Sequence, residues 1–82
     1  MNLQYCLVNA ASVDMPKNAL RVYVYIISKI QKKEEYIHIA QDEMRRMLNL
    51  SQPGVVKAVR DLSETGLIKV KKTGKYNYYQ IT

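Results

Sequence analysis

Residues 49–79 read NLSQPGVVKAVRDLSETGLIKVKKTGKYNYY and contain the clearest structural signals of this 82-residue chain. Ser51 followed by Pro53 is typical of a helix start, because a serine hydroxyl caps free N–H groups and proline has none to satisfy. Gly66 predicts the end of that helix, since glycine adopts the left-handed conformation without strain. Two β-prone runs then flank Thr73 and Gly74, a pair that favours the turn of a hairpin. These signals predict a helix followed directly by a two-stranded hairpin.

The predicted helix, residues 51–65, has two chemically distinct sides. The side expected to be buried carries apolar residues at helical spacing, namely Val55, Ala58, Val59 and Leu62. The side expected to be exposed carries Gln52, Gly54, Val56, Lys57 and Arg60. Val56 is an apolar residue on an otherwise polar side. It is therefore either incidental or a point of contact with a partner.

The predicted hairpin is also two-sided, because side chains alternate along a strand. Tyr79 and Ile81 should face the core, together with the apolar residues of the first strand, Leu67, Ile68 and Val70. The return strand should direct Tyr76, Tyr78 and Gln80 outward. Around the turn the hairpin is rich in lysine, with Lys69, Lys71, Lys72 and Lys75. We expect this segment to be a cationic tip.

A long helix is predicted over residues 16–31, with Pro16 in its first turn, where a missing N–H costs nothing. Its core stripe is predicted to consist of Leu20, Tyr23, Val24, Ile27 and Ile30. Val22 and Ile26 widen the apolar arc beyond what one buried face needs. A helix that is apolar on most sides is either central in the fold or shares a surface with an N-terminal arm or a second protomer.

Three shorter elements complete the prediction. A small strand is expected over residues 36–39, and a short helix over Gln41–Leu48, with an apolar side made of Met44, Met47 and Leu48. Asn49 can adopt the left-handed conformation that ends such a helix. Residues 1–15 are expected to form an arm that either packs on the core or reaches a partner subunit.

The net charge of +6 is unevenly distributed along the chain. Residues 1–44 hold five basic and five acidic residues, whereas residues 45–82 hold eight basic residues against only Asp61 and Glu64. A basic excess confined to one part of a domain is typical of proteins with a polyanionic partner. A solvated face is the simpler alternative.

Few residues are of a kind that supports catalysis or metal binding. Cys6 is the only cysteine, so it forms no internal disulfide and fits a reducing cytoplasm. His38 is the only histidine and lacks a set of neighbouring metal ligands. The longest apolar run, residues 22–27, is far too short to span a bilayer. We therefore expect no enzyme, no cofactor, no metal site and no membrane association.

The run DEMRRMLNLSQPGVVKAVRDLSETGLIKV resembles the winged-helix DNA-binding superfamily, and the resemblance extends over about residues 16–81. The runs KNALRVYVYIISKI and KTGKYNYYQIT look like the N-terminal domains of phage and plasmid replication initiators, and the chain is also similar to small MarR-like regulators. The resemblance implies an α+β winged helix with three helices, a helix-turn-helix, a small strand and a C-terminal β-hairpin wing. Residues 16–82 would form this DNA-binding domain, preceded by the arm.

The same resemblance implies that the helix over residues 51–65 enters the major groove and that residues 69–79 contact the backbone or the minor groove. The start of a capped helix attracts phosphate through its free N–H groups and dipole. By their chemistry, Gln52 suits adenine, Lys57 or Arg60 suits guanine, and Val56 suits a thymine methyl group. The residues expected at DNA are Arg45, Arg46, Ser51, Gln52, Gly54, Val56, Lys57, Arg60, Lys69, Lys71, Lys72, Lys75 and Tyr76.

These features predict sequence-specific binding of double-stranded DNA by a cytoplasmic transcriptional regulator or replication initiator. The alternative is a winged helix used mainly for protein–protein contact, since fold alone does not determine function. The apolar surplus at Val22 and Ile26 is the main support for that alternative, and for a homodimer or partner protein bound through the arm and the first helix.

Overall fold

A computed structural model of the chain describes residues 16–32, 34–74 and 76–82. In chain order the elements are α1 (Lys17–Lys29), β1 (Ile37–His38), α2 (Gln41–Leu48), α3 (Gln52–Glu64), β2 (Ile68–Thr73) and β3 (Tyr76–Ile81). The strands form one antiparallel sheet in the order β1-β3-β2. The predicted α+β class is thus confirmed. The predicted N-terminal arm and Lys75 lie outside the described residues.

Both ends of α3 form as the sequence predicts. The Ser51 hydroxyl oxygen accepts a hydrogen bond from the Gly54 N–H at 3.2 Å and so caps the first turn. At the other end Gly66 has a φ of +80°. The Gly66 N–H donates to the Ser63 carbonyl and the Leu67 N–H donates to the Leu62 carbonyl, both at 3.1 Å. This double closure satisfies carbonyls that the helix end would otherwise leave free and turns the chain sharply into β2.

The connection between α2 and α3 is equally well encoded. Asn49 adopts the left-handed conformation, with a φ of +55°, and ends α2. The Leu50 N–H donates to the Arg45 carbonyl at 3.0 Å, and the Leu50 side chain packs against the core. Ser51 then begins the next helix. Ala40, at the start of α2, supplies no side-chain cap, so this helix start is held by packing rather than by a cap.

The first helix is shorter than predicted. Pro16 is its N-cap residue, with an extended backbone, and not a member of its first turn. The helix ends at Lys29, and Ile30 is already extended while its side chain remains buried. In the described part of the chain, no helix combines the length and the apolar character needed to cross a membrane.

The predicted core stripe of α1 is confirmed for Tyr23, Ile27 and Ile30 and wrong for Leu20 and Val24. Val22 and Ile26, which were expected to form a surplus surface, are fully buried, with 0% of their surface exposed. Leu20 and Val24, which were expected in the core, are each 40% exposed. The buried stripe is Ala19, Val22, Tyr23, Ile26, Ile27 and Ile30. The predicted partner surface on the first helix therefore belongs to the core, and the case for a homodimer or partner protein there is lost.

A polar stripe on α1 explains this orientation of the helix. Arg21, Tyr25 and Lys29 lie four residues apart and all contact α2. The Arg21 guanidinium donates to the Leu48 carbonyl, one of the free carbonyls at the end of α2. The Tyr25 hydroxyl donates to the Glu43 carboxylate, and the Lys29 ammonium lies 3.4 Å from the same group. Once this stripe faces α2, the adjoining Leu20 side must face solvent.

The sheet matches the predicted alternation, with small shifts at its ends. Tyr79 and Ile81 are buried, at 0% and 3% exposure, and Tyr79 pairs with both Ile37 and Val70. Burial raises the pKa of the Tyr79 hydroxyl, and the Asn77 side chain partly offsets this effect. Strand β1 has two residues instead of the predicted four. Thr73 pairs with Tyr76, so the turn lies one residue later than predicted and begins at Gly74, which has a φ of +61°.

The apolar side of α2 is narrower than predicted. Met44 is fully buried, and Leu48 packs partly buried against the core. Met47, in contrast, is 66% exposed. The helix has only eight residues, so its contact with α1 and α3 uses a single narrow stripe.

The Glu43 cluster predicts a specific pH dependence of stability. Hydrogen bonds from Tyr25 and Lys29 hold the pKa of Glu43 below its ordinary value of 4.5, with Tyr25 the larger cause. A carboxyl whose pKa is lowered in the folded state stabilises the fold above its ordinary pKa, and this stabilisation is lost as the pH falls through the lowered value. We expect Glu43→Gln to unfold less steeply with acid below pH 4.5 than the parent.

Urea titrations from pH 6 to pH 3 measure this difference. Glu34→Gln is the matched control, because the Glu34 carboxyl makes no ion pair with a described residue and only its backbone carbonyl is used, by Gln80. An acid profile that changes equally in both variants would contradict the role given to Glu43.

Candidate nucleic-acid interface

The start of α3 is exposed, but Gly54 does not belong to its outer side. Ser51, Gln52 and Pro53 are exposed, whereas Gly54 is half-buried next to the first turn of α1. A Cβ placed on Gly54 would lie 3.2 Å from the Ser51 hydroxyl oxygen. The absence of a side chain therefore makes room for the cap. The predicted role of Gly54, close approach of a ligand to the backbone, is not supported.

A cavity of about 300 Å³ separates α3 from the hairpin. Val59 and Val70 contribute apolar walls from the two elements. Val56 and Arg60 line it from α3, and Lys72 lines it from β2. The fold thus brings together Arg60 and Lys72, two predicted contact residues that are 12 positions apart in the sequence. Neither has an ion pair with any residue in the described ranges.

Lys57 lies on a different side of α3 from Arg60. Its ammonium is 3.0 Å from the Asp61 carboxylate, one turn further along the helix. Lys57 lines a second cavity, of about 200 Å³, between α3 and the start of α1. The sequence predicted equivalent roles for Lys57 and Arg60. The structure distinguishes them, because Lys57 is paired and faces α1, whereas Arg60 faces the hairpin.

The second cavity also identifies residues that the sequence prediction missed. Lys17 and Asn18, in the first turn of α1, line it together with Lys57. All three are exposed. Lys17 stands 40 residues before Lys57, in the half of the chain whose charges balance. Only the packing of α1 against α3 places this cation beside α3, so no local sequence signal could have indicated it.

Arg45 and Arg46 share a single carboxylate. The Arg45 guanidinium lies 3.4 Å from Asp42, and that of Arg46 lies 3.6 Å from the same side chain. All three side chains are largely exposed. Exposed pairs of this kind contribute at most about 1 kcal/mol, so both arginines can exchange Asp42 for another anion. Neither lines the two cavities beside α3.

The hairpin lysines divide between the two faces of the sheet. Lys72 lies four residues after the buried Ile68 in the same strand, so its side chain is on the same face, and it lines the cavity beside α3. Lys69 and Lys71 lie at the alternate positions and are exposed on the other face. The four lysines were predicted to act as one cationic tip. Alternation along β2 instead separates the three that are described.

We use the name helix-side surface for the exposed start of α3 together with the side chains that line the two cavities beside it. It holds four cations, Lys17, Lys57, Arg60 and Lys72, and two acidic residues, Asp61 and Glu64. Glu64 lines the cavity between α3 and the hairpin and makes no ion pair with a described residue. The net charge of this surface is therefore +2.

We use the name outer sheet face for the side of the sheet that is turned away from the core. His38 from β1 contacts Tyr76 and Tyr78 of β3, with ring centres 5.0 and 5.6 Å apart. The Lys71 ammonium lies 5.9 Å from the centre of the Tyr36 ring. Tyr76, which was predicted to share a DNA surface with Arg60, therefore belongs to the opposite side of the sheet. His38 is exposed on the edge strand β1.

The helix-side surface combines a helix start, four cations of which Lys57 is paired with Asp61, and one exposed apolar side chain, Val56, which is 44% exposed. Within the described residues no cluster of histidine, cysteine, aspartate and glutamate side chains is suited to hold a metal ion. We found no match to this chain among family models, curated proteins or solved structures.

Proposed function

We propose that this chain is a winged helix that binds double-stranded DNA through its helix-side surface. The order of elements, α1-β1-α2-α3-β2-β3, and the sheet order β1-β3-β2 are those expected of a winged helix whose wing is the β2–β3 hairpin. The main support for the proposal is that Arg60 of α3 and Lys72 of β2 line the same cavity. Two cations, one on the helix and one on the hairpin, outnumber the single carboxylate of Glu64 in this cavity, so the cleft attracts a polyanion such as DNA.

In this proposal α3 lies in the major groove. Arg60 is exposed and has no ion pair with a described residue, so its guanidinium can bind the O6 and N7 atoms of guanine in a bidentate manner. Gln52 can contact adenine in the same way, and Val56 can pack against a thymine methyl group. These three residues lie on consecutive turns of α3, as expected for a helix that reads neighbouring base pairs.

The phosphate contacts come from residues around α3. Lys72 on the hairpin and Lys17 at the start of α1 lie on opposite sides of the helix. The first turn of α3 offers its remaining free N–H groups to phosphate. Arg45, Arg46 and Lys57 would contribute after exchanging their carboxylate partners for phosphate, at a small cost because those pairs are exposed. Lysine reads little sequence, so these contacts position the duplex.

The salt dependence of duplex binding tests this proposal. If five or six phosphates are neutralised, a plot of the logarithm of the association constant against the logarithm of the salt concentration should have a slope of about −5. Fluorescence anisotropy with a labelled duplex of about 20 base pairs, at salt concentrations from 50 to 300 mM, measures the slope. A flat dependence, or no binding at 50 mM salt, would overturn duplex binding.

Selection of bound duplexes from a random pool then separates specific from non-specific binding. Recovery of one shared motif supports base reading by α3, while a pool that remains random limits the function to backbone binding. A transcriptional regulator and a replication initiator both begin with this contact. The position of the recovered motif, at a promoter or at a replication origin, distinguishes the two roles.

A further inference from the structure

The outer sheet face combines exposed rings with exposed cations and is separate from the helix-side surface. Tyr36 and Tyr76 retain 40% and 47% exposure. His38 lies between Tyr76 and Tyr78, edge-on to the first ring and tilted against the second. Packing across strands explains the contacts of His38 with its neighbours. Nearly half of the surface of Tyr36 and of Tyr76 nevertheless remains exposed.

The cations on this face have no carboxylate partners among the described residues. Lys69 and Lys71 are both exposed, and the Lys71 ammonium lies over the Tyr36 ring. The three strands contain no aspartate or glutamate. Glu34 and Glu35 precede β1, at the end of the sheet away from the hairpin tip, where the Gln80 amide donates to the Glu34 carbonyl at 2.7 Å. The strands therefore carry only positive charge on this face, while Glu34 and Glu35 precede Tyr36 at its far end.

The chemistry of the face selects its ligand. Aromatic rings can stack on bases only where those bases are not already stacked within a duplex, and nearby lysines can neutralise the phosphates that join them. We propose that the outer sheet face binds single-stranded nucleic acid, with bases stacked on Tyr36 and Tyr76 and with phosphates held by Lys69 and Lys71. Two partly exposed rings and one flanking imidazole give room for about two or three bases.

This proposal does not rest on duplex binding, because the two surfaces share none of the residues named for them. Lys72 faces α3, whereas Lys69 and Lys71 face outward from the same strand. A single strand on the outer sheet face and a duplex on the helix-side surface would therefore occupy opposite sides of the sheet. The two ligands are expected to bind together rather than to compete.

Binding of short labelled oligonucleotides tests the proposal directly. Thymidine and uridine oligomers of about eight nucleotides are titrated with the intact chain at 25 mM salt, and anisotropy is recorded. With Lys69 and Lys71 each neutralising one phosphate, the log–log salt slope should be about −1.4. This is much shallower than the slope expected for the duplex. The chain contains seven tyrosines and no tryptophan, so quenching of tyrosine fluorescence reports stacking independently.

Variants of Tyr36 separate stacking from a merely structural role. We expect Tyr36→Ala to weaken binding of the oligonucleotide about tenfold and to reduce the quenching, since stacking on one aromatic ring is worth about that much. Tyr36→Phe keeps the ring and should retain binding within about twofold. Circular dichroism and thermal melting of both variants show that the fold is intact.

The outcomes distinguish this proposal from duplex binding. Loss of single-strand binding in Tyr36→Ala, with duplex binding unchanged, supports the outer sheet face. Arg60→Ala should have the reverse effect. No saturable binding of either oligomer, equal losses in Tyr36→Phe and Tyr36→Ala, or complete displacement of the single strand by duplex would each overturn it. Tighter binding of the uridine oligomer would identify RNA as the preferred strand, and equal or tighter binding of thymidine would identify DNA.

Discussion

Replacing Ile26 by alanine is expected to lower the free energy of unfolding by about 2–4 kcal/mol. Ile26 is 0% exposed and lies in the cluster that joins α1 to α3 and the sheet. Truncation removes buried methyl and methylene groups and leaves a cavity that a rigid helix contact cannot fully close. A small domain has little stability in reserve, so this one change should remove a large part of it. Urea denaturation monitored by circular dichroism measures the loss.

Val24→Ala is the matched control on the same helix. Val24 is 40% exposed and one residue from the polar stripe, so its truncation should change stability by less than about 1 kcal/mol. The sequence predicted Val24 in the core and left Ile26 either central or on a shared surface. A larger loss from Val24→Ala than from Ile26→Ala would show that α1 is rotated as the sequence suggested.

Replacing Arg60 by alanine is expected to cause the largest loss of sequence discrimination on duplex DNA. A bidentate contact with guanine is worth about 1–3 kcal/mol against the wrong base, or roughly 5- to 150-fold in affinity. Arg60 makes no ion pair with a described residue, so no carboxylate must be given up before it binds. Anisotropy titrations against the selected duplex and against duplexes with single base-pair changes measure both affinity and discrimination.

Lys57→Ala is the informative comparison. The Lys57 ammonium is 3.0 Å from Asp61 and faces α1, so its loss should weaken all duplexes alike and by less than about tenfold. Asp61→Asn releases Lys57 and should strengthen binding while making the salt slope steeper. Equal effects of Arg60→Ala and Lys57→Ala on every duplex would refute the distinction drawn from their positions.

Local signals explain why so much of α3 and the hairpin was predictable. The cap at Ser51, the left-handed residues Asn49 and Gly66, and the inward positions of Tyr79 and Ile81 all depend on the residue itself and its near neighbours. Side-chain oxygens, glycine conformations and strand alternation act over a few residues, and they operate wherever the segment is placed. The α+β class and the order of elements followed from these signals.

The orientation of α1 could not be read in the same way. Apolar residues occupy both flanks of the helix, so periodicity permits two rotations that differ by about one residue. The choice between them is made by Arg21 and Tyr25, whose partners Leu48 and Glu43 lie 27 and 18 residues away. The side chains of this polar stripe find their hydrogen-bond partners only in a second helix, so the sequence of either helix alone does not indicate the contact. The predicted partner surface at Val22 was wrong for that reason.

The amino-acid sequence alone establishes the basic second half, because the charges can be counted along the chain. It also establishes the helix start at Ser51 and the alternating hairpin, because both depend on short-range geometry. Tertiary packing decided which charges share a surface. It placed Lys17 beside Lys57, joined Arg60 to Lys72 and turned Lys69 and Lys71 to the far side of the sheet. Contacts between residues distant in sequence depend on how helices cross and which way strands face, and these are properties of the packed core.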